Sequence, residues 1–329
     1  MGRPAVPKTI LVTGARGFIG TALCAALAAQ GHRVTGQTRR LPSGPETPAG
    51  SGIEWVAHGM PTAGEAEWRA LLEDVDTVIH LAAHAHQRTA GQSLEDLRAL
   101  NVHAAVNLAR QADEAGVGRF IYLSSIGVLG QSSLAPLQET ATPAPEEPYA
   151  RSKSEAEAAL WDLSPGMAMS LTVIRPPLVH GPDAPGNFGR LLAWARKGGP
   201  LPLGAVTGNQ RSLVGRANLV DFIQRAMTAP QAANQTFHVA DDETTSTAAL
   251  LRMLANAAGH DPKLFRVPPV MLHAGARLLG RTQMAERLLG SLTVDTRKAR
   301  DRLDWRPPLS LEQGLHDAVR GHAQHESAG

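Results

Sequence analysis

The 329-residue chain is poor in cysteine and in excess charge, and it lacks long apolar runs; each shortage excludes a class of protein. Its single cysteine, Cys24, cannot form an internal disulfide, so a reducing compartment suits the chain and we expect this residue in the core. Lys and Arg number 32 against 30 Asp and Glu, a formal net charge of +2 that does not favour nucleic-acid binding. No apolar run approaches the ~20 residues of a membrane-spanning helix, and the polar first residues do not look like an export signal. We therefore expect a cytoplasmic protein without a nucleic acid or a membrane as partner.

What the sequence does contain is a repeated alternation of short β-branched runs and longer helical stretches. Thr9–Val12 is the first such run, and the Ala- and Leu-rich Thr21–Gln30 follows it. Similar pairs recur through the first two-thirds of the chain, and Ser93–Gly116 and Tyr149–Leu163 are predicted as long helices. The alternation predicts an α/β fold: a doubly wound parallel sheet of Rossmann type with a smaller, interleaved C-terminal substrate lobe.

A glycine-rich turn joins the first predicted strand to the first predicted helix. Gly14 permits a tight turn, Gly17 lets the backbone approach a pyrophosphate, and Gly20 allows close packing of helix on strand. A dinucleotide phosphate would then lie at the helix N-terminus. The predicted cofactor-binding residues of this turn are Gly14, Arg16, Gly17, Phe18, Ile19 and Gly20.

The end of the second predicted strand indicates which dinucleotide is bound. An NAD-preferring protein usually has an acidic residue there for the ribose hydroxyls, but this chain has Thr38 followed by Arg39 and Arg40. A missing carboxylate beside guanidinium groups favours the 2′-phosphate of NADP(H). Two solvated arginines are the alternative interpretation, and NAD(H) stays possible.

Tyr149 and Lys153 are one helical turn apart, and a serine pair precedes them at the end of a predicted strand. The pKa of a phenol is ~10, so a tyrosine needs a neighbouring positive charge to exchange protons at neutral pH. We therefore expect Lys153 to lower the pKa of Tyr149. Ser124 and Ser125 are expected at the carboxyl edge of the sheet, where ligands of such folds bind.

Together the glycine turn, the serine pair and the Tyr149/Lys153 pair resemble the extended short-chain dehydrogenase/reductase family. Within it, the chain looks like the nucleotide-sugar epimerases and 4-ketoreductases, and the similarity extends to the VIHLAA segment at 78–83 and to the C-terminal end. The resemblance implies catalytic roles for Ser125, Tyr149, Lys153 and Asn101. It implies cofactor contacts for Leu81, Ala82, Ala83, Tyr149 and Lys153, and substrate contacts for Ser124, Ser125, His84, Asn187 and Arg211, the last two at the UDP part.

The resemblance also implies an organisation and an assembly. The dinucleotide-binding domain would comprise residues 1–175 and about 205–245. The nucleotide-sugar lobe would comprise about 176–204 and 246–329. The two long helices would form a homodimer interface. His80, His84 and His86 have no carboxylate or cysteine with them, so no metal site is predicted.

The two residues after the serine pair narrow the reaction class. Dehydratase relatives need carboxylates there, whereas this chain has Ile126 and Gly127. The missing carboxylates disfavour a dehydratase, and Thr38 favours NADP(H). Together they favour a reductase that acts on C4 of a UDP-4-keto-6-deoxy-hexosamine in surface-polysaccharide biosynthesis. The alternatives left open are a UDP-glucose or UDP-N-acetylglucosamine-type 4-epimerase with tightly bound NAD, a ketone reductase of a non-nucleotide substrate, and a non-catalytic NADP-sensing protein.

Overall fold

The computed structural model describes residues 6–41, 52–60, 68–83 and 93–326. The chain forms two compact units. The first comprises Met1–Val128, Glu147–Arg175 and Phe222–Phe237, and the second Leu129–Glu146, Pro176–Asp221 and His238–Gly329. These borders differ from the predicted ones, because residues 129–146, 205–221 and 238–245 belong to the second unit.

The described strands form one large and one small sheet. In chain order they are β1 (Thr9–Thr13), β2 (Arg33–Thr38), β3 (Ile53–Ala57), β4 (Thr77–His80), β5 (Arg119–Leu123), β6 (Ser170–Arg175), β7 (Leu178–His180), β8 (Arg211–Gly215), β9 (Gln235–His238) and β10 (Thr244–Thr245). The large sheet has the order β3-β2-β1-β4-β5-β6-β9, and the small one has the order β10-β8-β7.

The described helices alternate with these strands. They are α1 (Gly20–Ala29), α2 (Arg69–Leu72), α3 (Leu94–Arg98), α4 (Ala104–Glu114), α5 (Pro148–Leu163), α6 (Gly186–Lys197), α7 (Arg216–Thr228), α8 (Thr247–Ala257), α9 (Pro269–Leu278), α10 (Thr282–Leu289), α11 (Arg297–Leu303) and α12 (Leu311–Glu326). Over the described part of the chain, none of them combines the length and the apolarity that crossing a bilayer requires.

The order of the large sheet confirms the predicted doubly wound fold. β1 pairs in parallel with both β2 and β4. Successive strands are added on one side of β1 up to β3, and from β4 onward they are added on its other side. β3 continues the sheet on one side, and β5 and β6 continue it on the other, all in parallel. The crevice at the carboxyl ends of β1 and β4 is therefore the switch point at which such folds bind ligands.

The interior of the first unit explains why its strands are predicted so well. All four residues of β4 are buried, as expected for a parallel strand covered by helices on both faces. Cys24 of α1 is fully buried, and burial raises the pKa of its thiol to about 12. The prediction of an unreactive core cysteine is thus confirmed.

The second unit is held around a buried histidine–carboxylate pair. His180 Nε2 lies 2.8 Å from Asp241 Oδ2, and neither side chain is exposed. Asp241 Oδ1 accepts hydrogen bonds from the backbone N–H of Gly215 at 2.9 Å and from Asn218 Nδ2 at 2.7 Å. Because the carboxylate is satisfied from several directions, it fastens β7, β8 and the start of α7 together.

We expect Gly20→Ala to lower the free energy of unfolding by about 1–3 kcal/mol, because overpacking against backbone cannot relax easily. A Cβ on Gly20 would clash with the carbonyl oxygen of Gly14 and would lie 2.8 Å from Ala15. Gly166→Ala is the matched control, since nothing lies within 4 Å of its Cβ position. Urea denaturation followed by circular dichroism measures both; equal stability of the two variants would contradict the close approach.

Candidate active site

The glycine turn between β1 and α1 is fixed by contacts with neighbouring strands. Gly14 has φ 66°, and a Cβ there would lie 2.8 Å from the backbone nitrogen of Ala82. The Gly14 N–H donates to Gln37 Oε1 at 3.2 Å, and the Ala15 N–H donates to the Gln37 carbonyl at 3.1 Å. Glycine at this position is therefore required both by the backbone conformation and by the approach of the following loop.

The end of α1 that faces this turn fits a phosphate group. No side chain caps the helix at Ile19, and its first turn carries no acidic residue, so the positive end of the helix dipole is available to an anion. Arg16 and Gly17 are exposed, and Phe18 is partly exposed. The predicted cofactor residues of the turn thus lie together at the switch point.

The end of β2 presents the two arginines to solvent. Thr38 is buried and its Oγ1 donates to the carbonyl of Arg40 at 3.0 Å, while Arg39 and Arg40 are exposed. Gln37, one residue before Thr38, fastens the glycine turn, so the arginines follow a strand end that is tied to that turn. Their selectivity for NADP(H) stays a prediction.

The segment after β4 is tied to the end of β1. The Leu81 N–H donates to the Thr13 carbonyl at 3.2 Å, and the Ala82 N–H donates to Thr13 Oγ1 at 3.3 Å. Leu81, Ala82 and Ala83 are partly exposed there. His80 forms a 2.8 Å hydrogen bond with Thr13 Oγ1 through Nδ1, and burial lowers the pKa of this imidazole to about 3. It therefore stays neutral.

The other histidines predicted near this loop, His84 and His86, lie outside the described residues. Across the residues that are described, no group of histidine, cysteine and carboxylate side chains could hold a metal ion.

The two serines after β5 differ in accessibility. Ser124 is 4% exposed, its N–H donates to the Ile174 carbonyl at 2.8 Å, and its hydroxyl has no hydrogen-bond partner within the described chain. Ser125 is partly exposed, and its Oγ accepts from the Gly127 N–H at 3.1 Å. Of the pair, Ser125 is thus better suited to meet a ligand.

Lys153 is buried against an aromatic ring. Its Nζ lies 4.0 Å from the centroid of the Tyr122 ring, an attractive cation–π geometry. The Tyr122 ring in turn stacks on His80, with centroids 5.8 Å apart and an interplanar angle of 12°. Burial lowers the pKa of Lys153 to about 7, and the carboxylate of Glu157 opposes that shift.

Glu157 belongs to a buried ion pair between α5 and β6. Arg175 Nε donates to both of its carboxylate oxygens at 3.0 Å, and the two residues are 4% and 6% exposed. A buried carboxylate needs such a partner, because an uncompensated charge would be strongly destabilising. The pair therefore fixes the Glu157 carboxylate one helical turn beyond Lys153.

The pKa of Tyr149 is shifted in the opposite direction to the one predicted from the sequence. Burial raises the pKa of Tyr149 to about 12, whereas a lowering by Lys153 was expected. The reason is that removal of the phenolate from water dominates, and the Lys153 ammonium lies over Tyr122. The phenol is consequently protonated at neutral pH.

Asn101 lies in a π-helical turn, Ala99–His103, that separates α3 from α4. The sequence predicts one continuous helix here, so this interruption is a correction. Asn101 Nδ2 donates to Ser152 Oγ at 2.9 Å, and Ser152 Oγ donates to the Tyr149 carbonyl at 2.8 Å. The wider turn thus brings a buried amide to the first turn of α5, in keeping with the association of such turns with functional sites.

The two predicted substrate residues of the second unit occupy different settings. Asn187 is exposed in the first turn of α6. Arg211 of β8 donates from Nη1 to the Gly290 carbonyl at 3.0 Å, and burial lowers the pKa of its guanidinium. Arg287, which the sequence did not single out, is also partly buried with a lowered pKa. Both are desolvated cations of the kind that binds phosphates.

Other contributors to the site were also missed. Glu157 follows Lys153 at the spacing of one helical turn, a signal that could have been read. Ser152 lies within the Tyr149–Lys153 segment, but its link to Asn101 depends on the π-helical turn. Tyr122 had no sequence signal, because only the sheet decides which strand residue faces α5.

A family model described as "NAD dependent epimerase/dehydratase family" matches residues 10–240. The chain belongs to this family. A UDP-glucose 4-epimerase of Vibrio cholerae is 35% identical over 97% of this chain and 97% of its own length. The family resemblance drawn from the motifs is thereby confirmed, and the protein is an enzyme of epimerase or reductase type.

Solved structures share the fold at lower identity. The UDP-glucuronic acid 4-epimerase of Bacillus cereus in complex with NAD has a TM-score of 0.76 at 22% identity, covering 96% of this chain and 99% of that one. MoeE5 in complex with UDP-glucuronic acid and NAD has a TM-score of 0.77 at 22% identity, covering 96% and 99%.

We expect Lys153→Met to raise the free energy of unfolding at neutral pH, with a gain that shrinks as the pH rises above about 7. The folded pKa of Lys153 is about 7 and the unfolded value is ~10.4. Between these values the unfolded chain binds more protons, so wild-type stability rises with pH while the variant lacks this dependence. The destabilisation is complete below the folded pKa.

Urea titrations at several pH values, on protein stripped of nucleotides, measure this difference. The exposed Lys197→Met is the control and should not reproduce the pH dependence. Parallel pH profiles for wild type and Lys153→Met would contradict the burial of an ionisable ammonium.

Proposed function

We propose that the protein is an NAD-dependent 4-epimerase of a UDP-hexose or UDP-N-acetylhexosamine. The observation that carries this proposal is the joint presence in one unit of an open glycine turn, an accessible Ser125, a partly exposed Tyr149 and a buried Lys153. The Vibrio cholerae relative, a UDP-glucose 4-epimerase similar over nearly the whole chain, supports the epimerase assignment over the reductase that the sequence favoured.

Each residue has a role that follows from its setting. The turn between β1 and α1 would hold the dinucleotide phosphates beside the exposed Gly17, and Lys153 would hold the ribose. The bound nicotinamide supplies a hydride acceptor and donor for C4 of the sugar. Tyr149 exchanges the proton of the C4 hydroxyl oxygen, and Ser125 hydrogen-bonds the same oxygen and orients it.

The raised pKa of Tyr149 decides which proton transfer the chain is prepared for. A phenol with a pKa of about 12 is a proton donor at neutral pH, so the return of a proton to a 4-keto sugar needs no rearrangement. The opposite transfer needs positive charge close to the phenol. Lys153, one helical turn further along α5, would supply that charge, and the Glu157 carboxylate helps it stay charged despite its burial.

The UDP part would be held by the second unit. Arg211 has a half-buried guanidinium fork, a geometry that suits a diphosphate. Arg287 adds a second partly buried cation, and Asn187 offers an exposed amide for a polar contact. A homodimer through α3, α4 and α5 stays a prediction by family analogy.

A second candidate, reduction of a UDP-4-keto-6-deoxy-hexosamine with NADPH, is favoured by the end of β2. Thr38 stands where a ribose-binding acid would select NAD, and Arg39 and Arg40 are exposed there. A reductase must release its oxidised cofactor after each turnover. An epimerase retains it while the 4-keto intermediate is turned over.

We expect Tyr149→Phe to lower turnover by at least ~100-fold, the contribution of a positioned general acid or base. Nucleotide binding should change little, because the ring is kept. The chain has two tyrosines, and Tyr122→Phe is the matched control. Its hydroxyl has no hydrogen-bond partner in the described chain, and the ring under Lys153 is preserved. Comparable turnover of the two variants would refute the assignment of Tyr149.

We expect the purified protein to carry stoichiometric NAD and to interconvert a UDP-sugar and its C4 epimer without net change of reduced cofactor. Nucleotide released on denaturation, absorbance at the nicotinamide band and product analysis measure this. The control reaction supplies NADPH with a UDP-4-keto-6-deoxy sugar. Protein that purifies empty, oxidises NADPH stoichiometrically in that reaction and leaves UDP-glucose unchanged would replace the epimerase proposal with the reductase.

A further inference from the structure

The helical segment formed by α9 and α10 exposes a cluster of large apolar side chains, here called the α9–α10 face. Its members are Val270, Met271, Leu278, Leu279 and Met284. Leu278 is 89% exposed and Val270 is 79% exposed. A contiguous exposed apolar patch marks an interaction site more often than single exposed residues do. All of α9 is described, and none of its residues is buried.

The segment is packed against its unit, so detachment does not explain the exposure of these side chains. Leu272 of α9 and Leu288 and Leu289 of α10 pack against a buried cluster of the second unit that contains Leu203, Val206 and Leu251. The two helices are therefore anchored by one apolar side and present a second apolar side to solvent. A helix that is apolar on two sides needs a second partner.

The charge around this face is strongly one-sided. Residues 262–294 contain five arginines or lysines and a single carboxylate, Glu286. Without Arg287, which is partly buried and assigned above to the UDP part, the formal net charge of this segment is +3, whereas the whole chain carries +2. Arg266, Arg277 and Arg281 are exposed. On α9, Val270 and Arg277 share one stripe, and Met271 and Leu278 form the adjacent stripe, because residues seven apart lie on one side of a helix.

We propose that the α9–α10 face docks the enzyme on an anionic lipid bilayer, with Met271, Leu278 and Leu279 inserted among the headgroups and the arginines on lipid phosphates. Apolar side chains flanked by cations are the signature of helices that lie in the interface plane. A second copy of the chain is the less favourable occupant, since a symmetric contact would bring two surfaces of the same positive charge together.

This mode of binding differs from a membrane span. The expectation of no membrane partner rested on the absence of a long apolar run and on a small total charge. Both remain true of this chain, but a total of +2 conceals a local concentration of positive charge. Each cation near an anionic surface strengthens binding by about fivefold, so the charge of this face determines membrane affinity and the total charge of the chain does not.

Flotation of the full-length protein with vesicles tests the proposal. The vesicles are phosphatidylcholine alone and an equimolar mixture of phosphatidylcholine with phosphatidylglycerol. We expect binding to the anionic vesicles, weakening as salt is added, and little binding to the neutral ones.

Leu278→Ser with Leu279→Ser should lower the partition coefficient about tenfold or more, since two apolar side chains no longer insert. Arg277→Gln with Arg281→Gln should lower it by roughly tenfold or more.

Leu134→Ser is the matched control, since Leu134 is a fully exposed leucine of the same unit outside this face, and it should bind as the wild type does. Turnover of soluble substrate should be unchanged in the leucine variants. Three results would overturn the proposal: no flotation with anionic vesicles, equal flotation with neutral ones, or self-association by light scattering that Leu278→Ser abolishes, which would make the face a contact between copies of the chain.

Discussion

The burial of one ammonium group, that of Lys153, is the constraint on which the arrangement of the first unit depends. A charged amine withdrawn from water is destabilising unless nearby groups replace part of its hydration. Here the face of the Tyr122 ring lies 4.0 Å away, and the Glu157 carboxylate opposes the loss of charge. Burial lowers the pKa of Lys153 to about 7, and the Glu157 carboxylate opposes that lowering.

The groups that accommodate Lys153 also connect it to the glycine turn. Tyr122 stacks on His80, and His80 is hydrogen-bonded to Thr13 at the end of β1. Thr13 also accepts from Ala82, whose backbone lies against Gly14. Contacts of neighbouring parallel strands thus run continuously from the predicted phosphate-binding turn to the predicted catalytic Lys153. A substitution that removes the ring of Tyr122 or the imidazole of His80 would interrupt these contacts, whereas Tyr122→Phe keeps the ring.

Much of the fold and of the site could be read from the sequence because the signals are local. Hydrophobic alternation gives the strands and helices, and the glycine spacing gives the turn between β1 and α1. The spacing of Tyr149 and Lys153 depends only on helical geometry. The serine pair could be assigned to the carboxyl edge of the sheet because the strand before it has an unmistakable end. After Arg175 the local pattern weakens, and there residues 205–221 and 238–245 belong to a different unit from the predicted one, since β8 pairs with β7 and β10 in a separate sheet.

By itself, the sequence determined the fold class, the family and the identity of the residues with reactive groups, because these depend on patterns of neighbours along the chain. Only the tertiary structure decided how those groups ionise and what supports them. The pKa of Tyr149 rises rather than falls because burial is a property of the packed chain. The link from Asn101 through Ser152 needs a π-helical turn, and the ring beneath Lys153 comes from a strand far away in sequence. The exposed α9–α10 face likewise follows from which side of each helix the second unit covers, a choice made by packing and not by composition.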